Sequence, residues 1–122
     1  MAARVGINSM IAIVCDQDAA GADTANYTLI RNAVVSDAST AATAAAGASR
    51  VILNRQAAGA GAFNAVTTDM TPVADTVVRT AAVVAAQKIF GAGDVAQFVH
   101  TDAATHTRTI ALCTSPTIPG TV

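Results

Sequence analysis

Residues Met10 to Cys15 read Met-Ile-Ala-Ile-Val-Cys, six apolar residues in a row. So short a run cannot span a bilayer, and the start Met1–Ser9 lacks the basic region followed by a compact apolar stretch that marks a secretion signal. It reads as the centre of a β-strand from Val5 to Cys15. Apolar side chains at every position leave that strand two ways to stay out of water. Both faces are covered by the fold, or one lies on the core and the other on a neighbouring molecule.

The rest of the chain sharpens that choice. Of 122 residues, 28 are Val, Ile, Leu or Phe and thirty are Ala. A length of 122 residues fits one domain. The large side chains suffice for a folded chain with a thin core in which Ala supplies much of the packed volume. Burial yields roughly 25 cal/mol per Å² of apolar surface, and Ala has little to bury. The outside is equally spare, with one Lys, no Glu and 12% charged residues in all. A soluble surface usually carries about 25–35%. Lys and Glu are also the side chains depleted from interface cores. A homo-oligomer in contact with other protein is therefore expected.

Along the chain, Asn26 to Val35 forms a second extended candidate. Ser36 to Ser49 is a tract of small residues, readable as a helix, an arm or a loop. Arg50 to Gln56 is a short strand. Pro72 to Phe90 carries the signals of the main helix. Thr71 suits its cap, Pro72 its first position, Asp75 its first turn, Lys88 its last and Gly91 its end. Val77, Val78, Ala81, Val84, Ala85 and Ile89 share one helical face, while Val83 and Phe90 project away from it. Val95 to Thr101 and His106 to Thr114 read as a hairpin turning at Asp102–Thr105. The prolines of Ser115–Val122 exclude a central strand there. The fold expected is α+β, a small antiparallel sheet with one main helix, with an all-β sandwich or barrel as the alternative. Residues 1–122 make a single domain with extended arms at 1–9 and 115–122.

Chemistry is sparse. His100, Asp102 and His106 are the nearest thing to a metal set, but the hairpin register leaves the imidazoles diagonal and one more ligand is needed. Asp16, Asp18 and Asp23 suggest a cation loop, yet Tyr27 stands where an EF-hand needs Glu. Cys15 and Cys113 fit no zinc or redox spacing. They are either two buried thiols or a disulfide between the terminal strands. A Cys113–His100 pairing has no oxyanion loop beside it. The eight aspartates lie in or near turns and caps. The basic residues form no track and the aromatics are few, which argues against nucleic acid. No catalytic, cofactor-binding or metal residue is assigned, no membrane contact is expected, and no cofactor is required.

The Ala/Thr/Val-rich body, the poverty of Lys and Glu, and the loose ends Met1–Ser9 and Ser115–Val122 resemble the small decoration, or cement, proteins of tailed-phage capsids. The resemblance is one of overall character and carries no motif. It implies a non-enzymatic structural subunit of a virion, present in many copies and bound to its own kind and to coat subunits. Val5, Ile118 and Val122 are the candidate anchors, with Arg4 and Arg108 as polar contacts at the rim. The competing readings are a cytoplasmic module binding a peptide or small ligand near Phe63, Phe90 or Phe98, and a small enzyme.

Overall fold

The computed structural model of the chain describes residues 10–17, 21–43, 49–59, 61–103 and 107–114. Among these residues there is no helix, and nine strands form two antiparallel sheets. They are β1 (Met10–Gln17), β2 (Gly21–Thr28), β3 (Ala33–Ala42), β4 (Arg50–Gln56), β5 (Phe63–Ala65), β6 (Val77–Arg79), β7 (Ile89–Phe90), β8 (Val95–Ala103) and β9 (Thr107–Thr114). One sheet runs β1-β9-β3-β6, with β7 also paired to β3; the other runs β2-β8-β4-β5. The chain alternates between the sheets at nearly every connection, in the strand order of a double-sheet jelly roll.

This corrects the α+β expectation, and the all-β sandwich forms instead. Asp75, expected in the first turn of the helix, has φ +54°. That left-handed conformation suits a turn and breaks a helix. Downstream, Val77 and Val78 join the sheet, since branched side chains favour extended backbone. The two proposed faces are inverted as well. Val77 and Ile89, on the supposed buried stripe, are 66% and 58% exposed, whereas Phe90 is fully buried and Val83 packs on the core. Residues 66–84 instead zigzag across one flank, held by Val51–Met70 and Thr67–Val83 bridges.

The expected hairpin is also absent. The antiparallel strands β8 and β9 lie in different sheets, because β2 and β4 already occupy both edges of β8. The connection therefore crosses the sandwich, and β9 inserts between β1 and β3.

The alanines have a geometric role. Ala33, Val35, Ala38, Thr40 and Ala42 point inward from β3, and Thr107, Thr109, Ala111 and Cys113 from β9. These small inner side chains leave room for Phe98, His100, Val51 and Leu53 on the opposite sheet, all buried. A bulge between Val35 and Asp37 shifts the inward register of β3 by one residue. It places part of the small-residue tract, residues 36–42, in a central strand; residues 44–48 lie outside the described ones.

Candidate functional site

The interior holds polar groups, but they are committed to the fold. His100 sits between the sheets at 2% exposure, its Nε2 3.4 Å from Thr109 Oγ1. Thr109 donates to Thr40 Oγ1 at 3.2 Å, and Thr40 donates to the Arg108 carbonyl at 3.3 Å. With both hydroxyl protons so used, Nε2 is the donor to Thr109, which fixes the tautomer. Burial holds the His100 pKa below its usual value, against an opposing pull from Asp23. A neutral imidazole at the end of a threonine chain is a structural element here. His106 lies outside the described residues, as does the side chain of Asp102.

A second polar knot closes the opposite end. The Asp94 carboxylate accepts from Gly91 N at 2.8 Å, Ala58 N at 2.9 Å and Arg55 Nε at 3.0 Å. Arg55 also donates to Gln87 Oε1 at 3.1 Å and lies over the Phe90 ring, 6.0 Å from its centroid. Burial pushes the Asp94 carboxyl up; the two amides and Arg55 outweigh it, and the net displacement is downward. The left-handed Gly93, at φ +91°, shapes the turn, and its N–H bonds to the Leu29 carbonyl at 2.7 Å.

The cysteines resolve the alternative left open by the sequence. Cys15 pairs with Thr109 across the ladder and Cys113 with Ile11, so the thiols lie four positions apart on adjacent strands. That is about 13 Å, against the 7 Å limit for a disulfide. Both are free and buried. Burial pushes the Cys113 thiol up to about 11, which removes it as a nucleophile. Among the described residues no three His, Cys, Asp or Glu side chains gather as metal ligands. No helix there is long and apolar enough to cross a membrane.

The outside is where the sequence economy shows. On β1, Ile13 and Cys15 turn to the core while Ala12 and Val14 face outward, Val14 being 52% exposed. Opposite them stand Leu112 and Ile110 of β9, with Leu112 37% exposed. Val34 of β3 and the exposed Ile89 of β7 are also paired and continue the same outer face. The result is an apolar stripe that runs diagonally over the first sheet, from Val14 and Ile110 past Leu112 to Val34 and Ile89, with Ser39 beside Ile110 and Asp37 beside Leu112. Ion pairs border it: Arg108 grips Asp16 through Nε at 2.6 Å and a second nitrogen at 3.2 Å, and Arg79 Nε meets Asp37 at 2.8 Å. The Arg108 guanidinium holds the Asp16 carboxyl below its usual range, against a smaller upward push from desolvation.

At the flank where β1 and β2 form the sheet edges, Ala12, Ile13, Tyr27, Leu29, Ile30 and Arg31 line a depression of about 160 Å³. Tyr27 is 52% and Ile30 83% exposed.

Of the residues singled out as contacts, Arg108 lies on the border of the outer stripe. Arg4, Val5, Ile118 and Val122 are outside the described residues. Leu112, Ile89, Val77, Tyr27 and Ile30, all large and exposed, were not singled out as contacts from the sequence. One signal was readable: in β9, Ile110 and Leu112 share a face with Arg108, which belongs in water.

Comparison of the chain with protein-family models, with curated proteins and with solved structures gives no match.

Proposed function

We propose that this chain is a structural assembly subunit of the capsid-decoration type, whose working surface is the outer face of the β1-β9-β3 sheet. One observation carries the reading: Val14, Ile110, Leu112, Val34 and Ile89 form an outward apolar stripe on a chain that has little charge to spare. A soluble monomer rarely keeps a large continuous apolar patch, and one bordered by polar residues marks a protein contact. The ion pairs Asp16–Arg108 and Asp37–Arg79 supply that border. Jelly rolls serve capsids, lectins and cupins alike, so the fold itself selects no function. The virion is favoured by the chain's resemblance in composition to cement proteins.

The test is sedimentation of a native extract through a density gradient, with the chain followed by antibody. The wild type should travel with large protein particles. A Leu112→Lys/Ile89→Lys variant, folded by circular dichroism, should stay near the top. Recovery of the wild type only as a small free species contradicts the proposal.

A further inference from the structure

β1 differs from the other strands at the sheet edges. β5 and β6 are three residues long, and β2 is broken by an irregularity between Gly21 and Asp23. β1 is eight residues long and regular in its pairing with β9, and it contains no Lys and no Pro. Short length, bulges, Lys and Pro are the devices that keep sheet edges from pairing with other chains. Among the described residues nothing pairs with the other side of β1, and an edge without those devices offers a row of amides and carbonyls to another strand.

We infer that β1 pairs antiparallel with β1 of a second copy about a twofold axis near Ile13. The inference rests on the assembly reading above and adds a partner and a site to it. Three features favour a second copy in this orientation. The first is register. In an antiparallel pair, facing residues project to the same side, so centring on Ile13 sets Ala12 against Val14 and Met10 against Asp16. Inward residues stay inward, and the apolar stripe continues from one copy into the next. The second is charge. Asp16 and Asp23 lie toward the Gln17 end of the flank, and Arg31 lies beside Ala12 toward the other. Arg108 already partners Asp16, which leaves Asp23 as the acid for the other copy. The twofold brings the Asp23 end of each copy to the Arg31 end of the other, whereas a parallel arrangement sets like ends together. The third is the depression beside β1, where the exposed Tyr27 and Ile30 of both copies meet next to the new ladder.

The experiment uses the full chain. Sedimentation velocity over a concentration series gives the dimer constant, and hydrogen exchange read by mass spectrometry locates the contact. A dimer is expected, with β1 amides exchanging more slowly at high concentration than at low. Arg31→Asp and Asp23→Arg each turn two symmetric attractions into repulsions, so each single variant should weaken the dimer by about tenfold. The double variant exchanges the charged ends and should return to within about threefold of the wild type. Circular dichroism confirms that each variant is folded. A monomer at all concentrations overturns the inference. So does a dimer whose protection falls on β9 and β3, or one indifferent to both single changes. A chain that stays monomeric yet sediments with particles defeats the β1 dimer and leaves the assembly reading standing. A β1 dimer found on no particle defeats the assembly reading alone.

Discussion

Asp94 is the most informative single position for the stability of this sandwich. Its carboxylate, 8% exposed, ties Arg55 of β4 to the amides of Gly91 and Ala58. Asp94→Ala strips all three donors at once. Removing one partner of a buried ion pair costs about 3–5 kcal/mol, chiefly by stranding the other charge. Arg55 keeps 22% of its side chain in water and retains Gln87, which lowers that part to about 1 kcal/mol. The two amides add back about 1 kcal/mol each where water cannot reach them. The expected loss is about 3 kcal/mol at pH 7, or roughly 10 °C in Tm for a domain of this size. Asp94→Asn keeps one acceptor oxygen and should lose about half as much. A pH signature accompanies it. The folded carboxyl is displaced downward, so the unfolded chain binds its proton first as pH falls. The stabilisation is complete above the ordinary carboxyl pKa of about 3.9 and disappears as pH drops through the folded value. Urea titrations from pH 7 to pH 2 should show the gap between wild type and Asp94→Asn shrinking at the acid end. An Asp94→Ala protein within about 0.5 kcal/mol of wild type at pH 7 would refute the reasoning, since that is the range of an ordinary surface change.

Three further outcomes follow from the interior and the turns. His100 is buried neutral with a lowered pKa, so stability should fall as pH drops below about 6.5, by at most about 1.4 kcal/mol per pH unit; His100→Gln should remove that slope in urea titrations. Cys15 and Cys113 are buried with raised pKa values, so a thiol reagent should label them only as fast as the protein unfolds; rapid labelling of the native state contradicts the packing. Gly93→Ala, at φ +91° with Ala58 Cβ 3.3 Å from the new methyl, should cost about 1–3 kcal/mol in denaturant titration, while Gly61→Ala, which meets nothing within 4 Å, should fall within about 0.5 kcal/mol of wild type.

Local extension was legible in part, and partnership was not: the single strand expected over Asn26–Val35 is broken at residues 29–32, its ends falling in β2 and β3. The run Met10–Cys15 and the segments Arg50–Gln56 and Val95–Thr101 appear in β1, β4 and β8, and the described part of the last segment, Thr107–Thr114, is β9. The alternation of Arg108, Ile110 and Leu112 against Thr109, Ala111 and Cys113 survives intact. Pro72–Phe90 failed because caps, dipole charges and a 3.6-residue spacing are weak signals when the stripe is made of Val and Ala. Ile89, at its last turn, is the one larger side chain on that face, and Val gains more in an extended, bridged segment. The β8–β9 connection failed for another reason. Hairpins and sheet-to-sheet crossovers draw on the same turn residues, and the choice depends on which edges distant strands already fill. The small-residue tract was ambiguous because Ala38, Thr40 and Ala42 have inward places only once Phe98, His100 and Leu53 face them. For the candidate surface, charge alone marked Arg108 as a rim residue, and the structure places it beside the stripe in an ion pair with Asp16. Ile89 and Val77 were hidden by the helical reading, which put them inside.

The apolar run that began the sequence reading has one face on the core, with Ile13 and Cys15, and the other on the outer stripe, with Val14. Hydroxyl-radical footprinting compares that stripe directly in the free chain and in the proposed assembly. Val14, Ile89 and Leu112 should be oxidised in the purified protein and several-fold less when the chain is assembled, while Val73, off the stripe and 48% exposed, reports the general level. Equal oxidation of the stripe in both forms would contradict its use as the contact surface.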